Sequence, residues 1–173
     1  MNTSLVLTVI GADRPGLIES LASTVAEHGG NWMESRMCRL GGQFAGIVHV
    51  EISQEEHPRL VEKLSDLQSK GLSISVFADA KGKAAVKGGA AVIEIIGNDR
   101  PGIVNQISRA LAEYGVNVED LKTEVVSAPM AGGLIFQARA DVFLPENCHL
   151  AELQRQLESV ASDLQVDVRI RQG

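Results

Sequence analysis

The chain has 173 residues, a net charge of −6 and only 3% aromatic residues. Acids outnumber bases in both halves, which speaks against direct nucleic-acid binding, because non-specific affinity for phosphate backbones comes from Lys and Arg. No stretch reaches the ~20 apolar residues of a membrane span. Met1 leads straight into a strand-like run without a charged leader region, so a soluble cytoplasmic protein that does not contact membranes is expected. Cys38 and Cys148 stand alone without CxxC spacing, so they are expected to be reduced, buried thiols, with no zinc site or other cofactor.

In chain order, Leu5 to Ile10 reads as a buried strand, and Leu17, Ile18, Leu21, Ala22 and Val25 then recur at helical spacing up to Gly29-Gly30. Residues 31–40 and 43–52 read as a hairpin turning at Gly41-Gly42. A second amphipathic helix starts at Pro58, carries Leu60, Val61, Leu64 and Leu67, and stops at Gly71. Leu72, Ile74 and Val76 alternate in a last strand. Residues 79–89, with three lysines and three glycines, read as a linker.

The order then repeats: strand 91–97, a helix with Ile103, Val104, Ile107, Leu111 and Tyr114 inward, strands near 117–127 and 133–143, helix 149–163 and strand 166–171. The loop through Ser127 to Gly133 is longer than its first counterpart. This is an internal duplication. Its domains are placed at 1–79 and 90–173, joined by 80–89. A βαββαβ order implies a ferredoxin-like α+β sandwich with both helices on one sheet face. Trp32, Ile47 and Phe143 are candidates to put apolar area on the other face.

The most informative repeat is Asp-Arg-Pro-Gly, at Asp13-Arg14-Pro15-Gly16 and Asp99-Arg100-Pro101-Gly102, an offset of 86 residues. The same offset carries Gly11 onto Gly97, Gly29 onto Gly115 and Asn31 onto Asn117. Asp13 and Asp99 lie where a side-chain oxygen caps the coming helix, and proline suits a first helical turn. Gly16 and Gly102 lack a Cβ, so a ligand group has room near the helix start. Free N–H groups and the helix dipole would there receive a carboxylate or phosphate. The competing reading is a well-made strand-to-helix turn that binds nothing. Asn31 and Asn117 open a strand expected beside the first one, where each would offer an amide to the same helix start.

With these residues in place, the chain resembles a tandem pair of ACT domains, the small-molecule regulatory modules of amino-acid metabolism. The turn, the G-x-N opening of the second strand and the element order carry the resemblance. A stand-alone duplicate of this kind is similar to the glycine cleavage system transcriptional repressor family, as is the stretch Ala128-Pro129-Met130-Ala131-Gly132-Gly133. The resemblance implies a small amino acid, glycine or serine, held between two domains at the strand-one to helix-one turn. It maps ligand contacts onto Asp13, Arg14, Pro15, Gly16 and Asn31, and onto Asp99, Arg100, Pro101, Gly102 and Asn117. The aspartates depart from the asparagine of the family pattern. It also implies a homodimer acting through a protein partner such as a DNA-bound activator.

Two other classes fit less well. An enzyme would need an activated nucleophile, an acid–base pair or metal ligands, and His28, His49, His57 and His149 have no counterparts in the other repeat. An RNA-recognition module shares the element order but stacks bases on aromatics of its middle strands, for which this chain has few candidates.

Overall fold

Alternation along the first strand decides how the first unit is layered. β1 (Asn2–Ala12) buries Leu5, Leu7 and Val9 on one face, while Thr8 and Ile10 on the other are exposed. In this computed structural model, residues 1–79, 87–128 and 132–172 are described, and the chain divides into two units, Met1–Gly82 and Lys83–Gly173. In the first, β1 is followed by α1 (Leu17–Glu27), β2 (Asn31–Leu40), β3 (Gln43–Ser53), α2 (His57–Asp66) with a 3₁₀ turn over Leu67–Lys70, and β4 (Leu72–Ala78). The sheet order is β2-β3-β1-β4, antiparallel throughout. Leu17, Leu21 and Val25 of α1 and Leu60 and Leu64 of α2 pack on the inward residues of β1 and β3 to form one core.

The second unit repeats this with β5 (Gly88–Asn98), α3 (Ile103–Glu113), β6 (Asn117–Ser127), β7 (Leu134–Pro145), α4 (Leu150–Leu164) and β8 (Val166–Gln172), in the order β6-β7-β5-β8. It has its own core, built from Ile93, Ile103, Ile107, Leu111, Val142, Leu153 and Leu157 among others. Each unit is a ferredoxin-like α+β sandwich. The duplication extends to an irregularity: the register slips between Trp32 and Glu34 in β2 and between Val118 and Asp120 in β6, 86 residues apart.

Several expectations change. Residues 80–86 of the expected linker lie outside the described residues, and its last two, Gly88 and Gly89, already belong to β5. Residues 129–131 of the longer hairpin loop also lie outside them, while Ala128 N–H closes on Gly133 C=O at 3.0 Å. Ile18 and Val104 point away from the core, 52% and 43% exposed, because they fall one residue off the Leu17 and Ile103 stripe. Ile47 and Phe143 do lie on the helix-free face. Trp32 does not: it pairs with the buried Val50 and packs against the core.

The last turn of each second helix comes hard against the end of the first strand. A Cβ on Gly11 would stand 2.5 Å from Gly71 O, and one on Gly97 would stand 2.7 Å from Val166 Cα. The chain reverses there through a left-handed residue, Gly71 (φ 81°) in the first unit and Gln165 (φ 56°) in the second. A side chain in that conformation costs roughly 1–2 kcal/mol, part of which glycine's extra unfolded-state entropy offsets. Gln165→Gly should therefore stabilise the second unit by about 1 kcal/mol, raising its thermal midpoint by about 4–8 °C in calorimetry.

Candidate functional site

The repeated block forms a type II turn. Gly16 (φ 88°, ψ 0°) and Gly102 (φ 97°, ψ −4°) take the conformation of the third residue of that turn, which favours glycine, and are also the N-caps of α1 and α3. A Cβ would meet nothing within 4 Å at Gly16 and only Gln106 Nε2, at 3.6 Å, at Gly102. Backbone conformation rather than crowding therefore calls for glycine. Pro15 and Pro101 precede the cap, outside the first helical turn where they were expected.

The aspartates do not cap either. No side-chain oxygen bonds the first turn of α1 or α3. The Asp13 and Asp99 N–H groups instead continue the pairing with the neighbouring hairpin strand, donating to Gly42 C=O at 2.9 Å and Leu134 C=O at 2.8 Å. The Asp13 carboxylate accepts from Arg39 Nε at 2.8 Å. With the first helical bonds running from Ser20 N–H to Gly16 C=O and from Gln106 N–H to Gly102 C=O, both 2.9 Å, the N–H groups of 17–19 and 103–105 precede each ladder. In the first unit they border an open hollow of about 530 Å³ lined by residues 13–19 and Phe44.

The arginines have a structural task. The Arg14 guanidinium donates to Lys70 C=O, and Arg100 Nη1 donates to Leu164 C=O at 3.1 Å and Asp163 C=O at 3.5 Å. Lys70 and Leu164 occupy the same place, just before the left-handed residue. Each arginine thus caps the carbonyl end of its unit's second helix, where a cation meets the negative end of the dipole.

The asparagines do not reach the turn of their own unit. β2 is the sheet edge beyond β3 and does not neighbour β1, so that expectation fails. Asn31 pairs with Glu51, which pairs with Ser4, while the turn follows Gly11, roughly 24 Å away along the strand. Asn117, opposite Phe143 and hence Ala90, is equally far from the turn after Gly97. Asn31 Nδ2 lies 3.0 Å from Met33 Sδ.

The copies differ in charge at the turn. The first turn of α1 carries Glu19, whose Oε1 accepts from Ser23 Oγ at 3.1 Å. The matching residue of α3 is Asn105, and no acid stands in that first turn. Val125 takes the place of Arg39 by the same offset, and among the described residues Asp99 has no ion-pair partner.

One cluster has no sequence signal beyond period-two alternation. On the helix-free face of the first unit, buried Ser4 bonds His49 Nε2 and donates from Oγ to Asp79 Oδ2 at 3.0 Å, with His49 Nε2 3.7 Å from Asp79 Oδ2. The hydroxyl has one proton. Once that is given to the acceptor-only carboxylate, His49 Nε2 must be the donor in the second bond. In this arrangement the trio clasps the end of β4, and His49 of β3, to β1. Asp79 N–H to Ser4 C=O at 3.0 Å completes the clasp. His28 Nδ1 bonds Thr24 C=O at 2.9 Å within its own helix. No cluster of three or more metal-ligating side chains occurs among the described residues. The middle strands β1 and β3 present Val6, Thr8, Ile10, Ala45, Ile47 and His49 on their open face, and β5 and β7 present Phe143 among charged and aliphatic residues, so each unit has one ring there rather than the set that stacks successive bases in an RNA-recognition module.

The ACT-domain model matches residues 3–77 and 90–171, one match per unit. The chain belongs to the ACT-domain family. Each ACT unit is the size of a small relative. A UPF0237 protein of Methanopyrus kandleri is 35% identical over 82 residues, 47% of this chain and 84% of its own length. One from Streptococcus mutans is 31% identical over 81 residues, 47% of this chain and 85% of its own length. Among solved structures, a Galdieria sulphuraria protein matches 100% of this chain and 99% of its own at 27% identity and a TM-score of 0.85. A candidate glycine cleavage system transcriptional repressor, 18% identical with a TM-score of 0.70 over 100% of this chain and 98% of its own, shares the tandem fold. No described helix is long and apolar enough to cross a membrane.

The thiols also divide. Cys38 is exposed, contrary to expectation, because it falls on the helix-free side of edge strand β2; Cys148 is half-buried, and burial pushes its thiol up. Alkylation of the folded protein near neutral pH should label Cys38 well before Cys148 in a peptide-mass time course. The arginine caps predict that Arg14→Ala and Arg100→Ala each cost about 0.5–1 kcal/mol of unfolding free energy, measured by denaturant titration, with no amino acid present.

Proposed function

We propose that this tandem ACT protein is an amino-acid-responsive regulator, with a small amino acid such as glycine or serine taken at the strand-to-helix turn. The observation that carries this reading is the pair of glycine-capped helix starts, whose first-turn N–H groups have no side-chain acceptor and face out beside a carboxylate. Those N–H groups suit the ligand carboxylate, and Asp13 or Asp99 suits its ammonium. The second unit is the better host, since Glu19 opposes an anion at α1 while Asn105 does not at α3.

Asn31 and Asn117 enter the site only from another ACT unit. Antiparallel pairing between two edge strands of the β2 or β6 type carries the asparagine at the start of one to the turn at the far end of the other. All eleven residues of β6 are exposed, including Val118, Leu121 and Val125, and so long an open edge invites a partner strand. Ile18 and Val104, exposed at matching positions beside the turns, fit the same boundary. A ligand touching a helix start and a neighbouring unit favours one arrangement of the two through its differential affinity. The regulated process is proposed to be transcription of glycine cleavage or related amino-acid metabolism, through a protein partner such as a DNA-bound activator, as the acidic charge of the chain favours.

A second reading has its own support. Gly11, Arg14 and Gly16, with their copies, all have folding tasks, which a ligand-free dimerising adaptor would need equally. Thermal unfolding against glycine, serine and other amino acids separates the two. Under the sensor reading, a ligand at ~100 times its dissociation constant adds roughly 2.7 kcal/mol, a shift of about 5–10 °C, and Asp99→Ala or Asn117→Ala removes the shift without lowering the unliganded midpoint. No shift with any amino acid would leave the adaptor.

A further inference from the structure

The strand registers set the charges on the helix-free face of the second unit in rows. One row runs Lys122, Arg139, Glu94, Arg169 across β6, β7, β5 and β8; the next runs Glu124, Gln137, Ile96, Asp167. Together they floor a hollow of about 500 Å³. The central charges are tied within the face. Glu94 is 3.7 Å from Arg139 and 2.7 Å from Arg171, and Arg139 is 3.5 Å from Asp141. The outer four, Lys122, Glu124, Asp167 and Arg169, form no ion pair among the described residues, although each has an opposite charge two residues along its own strand. The fold does not require this pattern. The matching rows of the first unit are Arg36, Ile47, Thr8, Ser75 and Cys38, Ala45, Ile10, Ser73, with a single charge between them.

The alternation is self-complementary. A two-fold axis lying across the strands, midway between the two rows, lays the face of one copy on that of another with each strand over its own counterpart. Lys122 then meets the partner's Glu124 and Arg169 meets the partner's Asp167, and the symmetry makes each pair twice. Ile96 falls over the partner's Glu94, whose charge is already held by two arginines. We propose that this face is a docking surface for a second copy of the chain, packed face to face in this isologous arrangement. Charge pairs at a partly solvated interface set register and specificity more than affinity, and salt screens them. The complementarity is confined to these two rows, so the dimer is a modest, salt-sensitive one. It uses neither the edge strands nor the turns, and it stands apart from the amino-acid reading.

Sedimentation equilibrium of the full chain, without amino acids, tests this at low and high salt. The expected result is a dimer whose dissociation constant rises at least tenfold between 50 mM and 500 mM salt. Lys122→Glu and Glu124→Lys should each weaken it at least tenfold, and the double swap Lys122→Glu with Glu124→Lys should restore it. The exchange Asp167→Arg with Arg169→Asp gives an independent pair on the other edge strand, useful should a β6 variant fail to fold by circular dichroism. A monomer at all concentrations, a dimer indifferent to the single reversals, or a loss that the double swap does not repair would each overturn the proposal. An amino-acid response, or its lack, leaves this outcome unchanged.

Discussion

The contact on which the rest depends is the close approach between the end of the first strand and the turn that leaves the second helix. At Gly11 against Gly71, and at Gly97 against Val166, no side-chain carbon fits between the two segments. That contact docks β4 beside β1 and β8 beside β5, and each arginine of the repeated turn then ties the end of the second helix to the start of the first. A βαββαβ chain must bring its last strand next to its first, across a crossover that crowds this corner most. The repeated residues gather there for that reason. A repeat of Gly11, Arg14 and Gly16 would follow even if neither turn ever met a ligand.

This changes how the turn is to be regarded chemically. The arginines are the obvious groups for a carboxylate, yet their guanidinium groups are held by helix-end carbonyls. What the turn offers is backbone: three N–H groups at the positive end of a helix, kept free because glycine caps without a side chain. An Asp or Ser cap would have filled that place with its own oxygen. The aspartate donates its N–H to the neighbouring hairpin and leaves its carboxylate beside the helix start, with Arg39 attached in one copy and without an ion-pair partner among the described residues in the other.

Fold class and element order were legible because the hydrophobic periods and the glycine stops repeat, and two copies of one pattern check each other. The contents of the turn were legible as a motif but not as roles. Side chains of Asp13 and Arg14 act on Arg39 and Lys70, partners that are distant in sequence. Asn31 was misplaced by topology: in a βαββαβ sheet the second strand lies at the edge, and the helix between brings the chain back to the end opposite the turn. Ile18 and Val104 were misassigned to the core because a helical stripe read from apolar residues alone widens where an exposed apolar residue adjoins it. The Ser4, His49 and Asp79 clasp was invisible, since it joins three strands and has no counterpart in the other copy.

The two copies have diverged unevenly, and the pattern of divergence is itself an argument. On the helix side both cores are mostly aliphatic, with Phe136 buried in the second, and nearly interchangeable in position. On the open side one sheet carries a buried serine, a histidine and scattered apolar residues, and the other carries rows of alternating charge. Packing constrains the first side, because the volume beneath two helices must be filled. It does not constrain the second, where a sheet with one solvated face tolerates any polar or small residue. Substitutions that folding leaves free can be shaped by what each face meets. The open faces and the charges at the two turns are therefore where the copies differ, while their shared glycines and arginines meet the folding demands that both copies have in common.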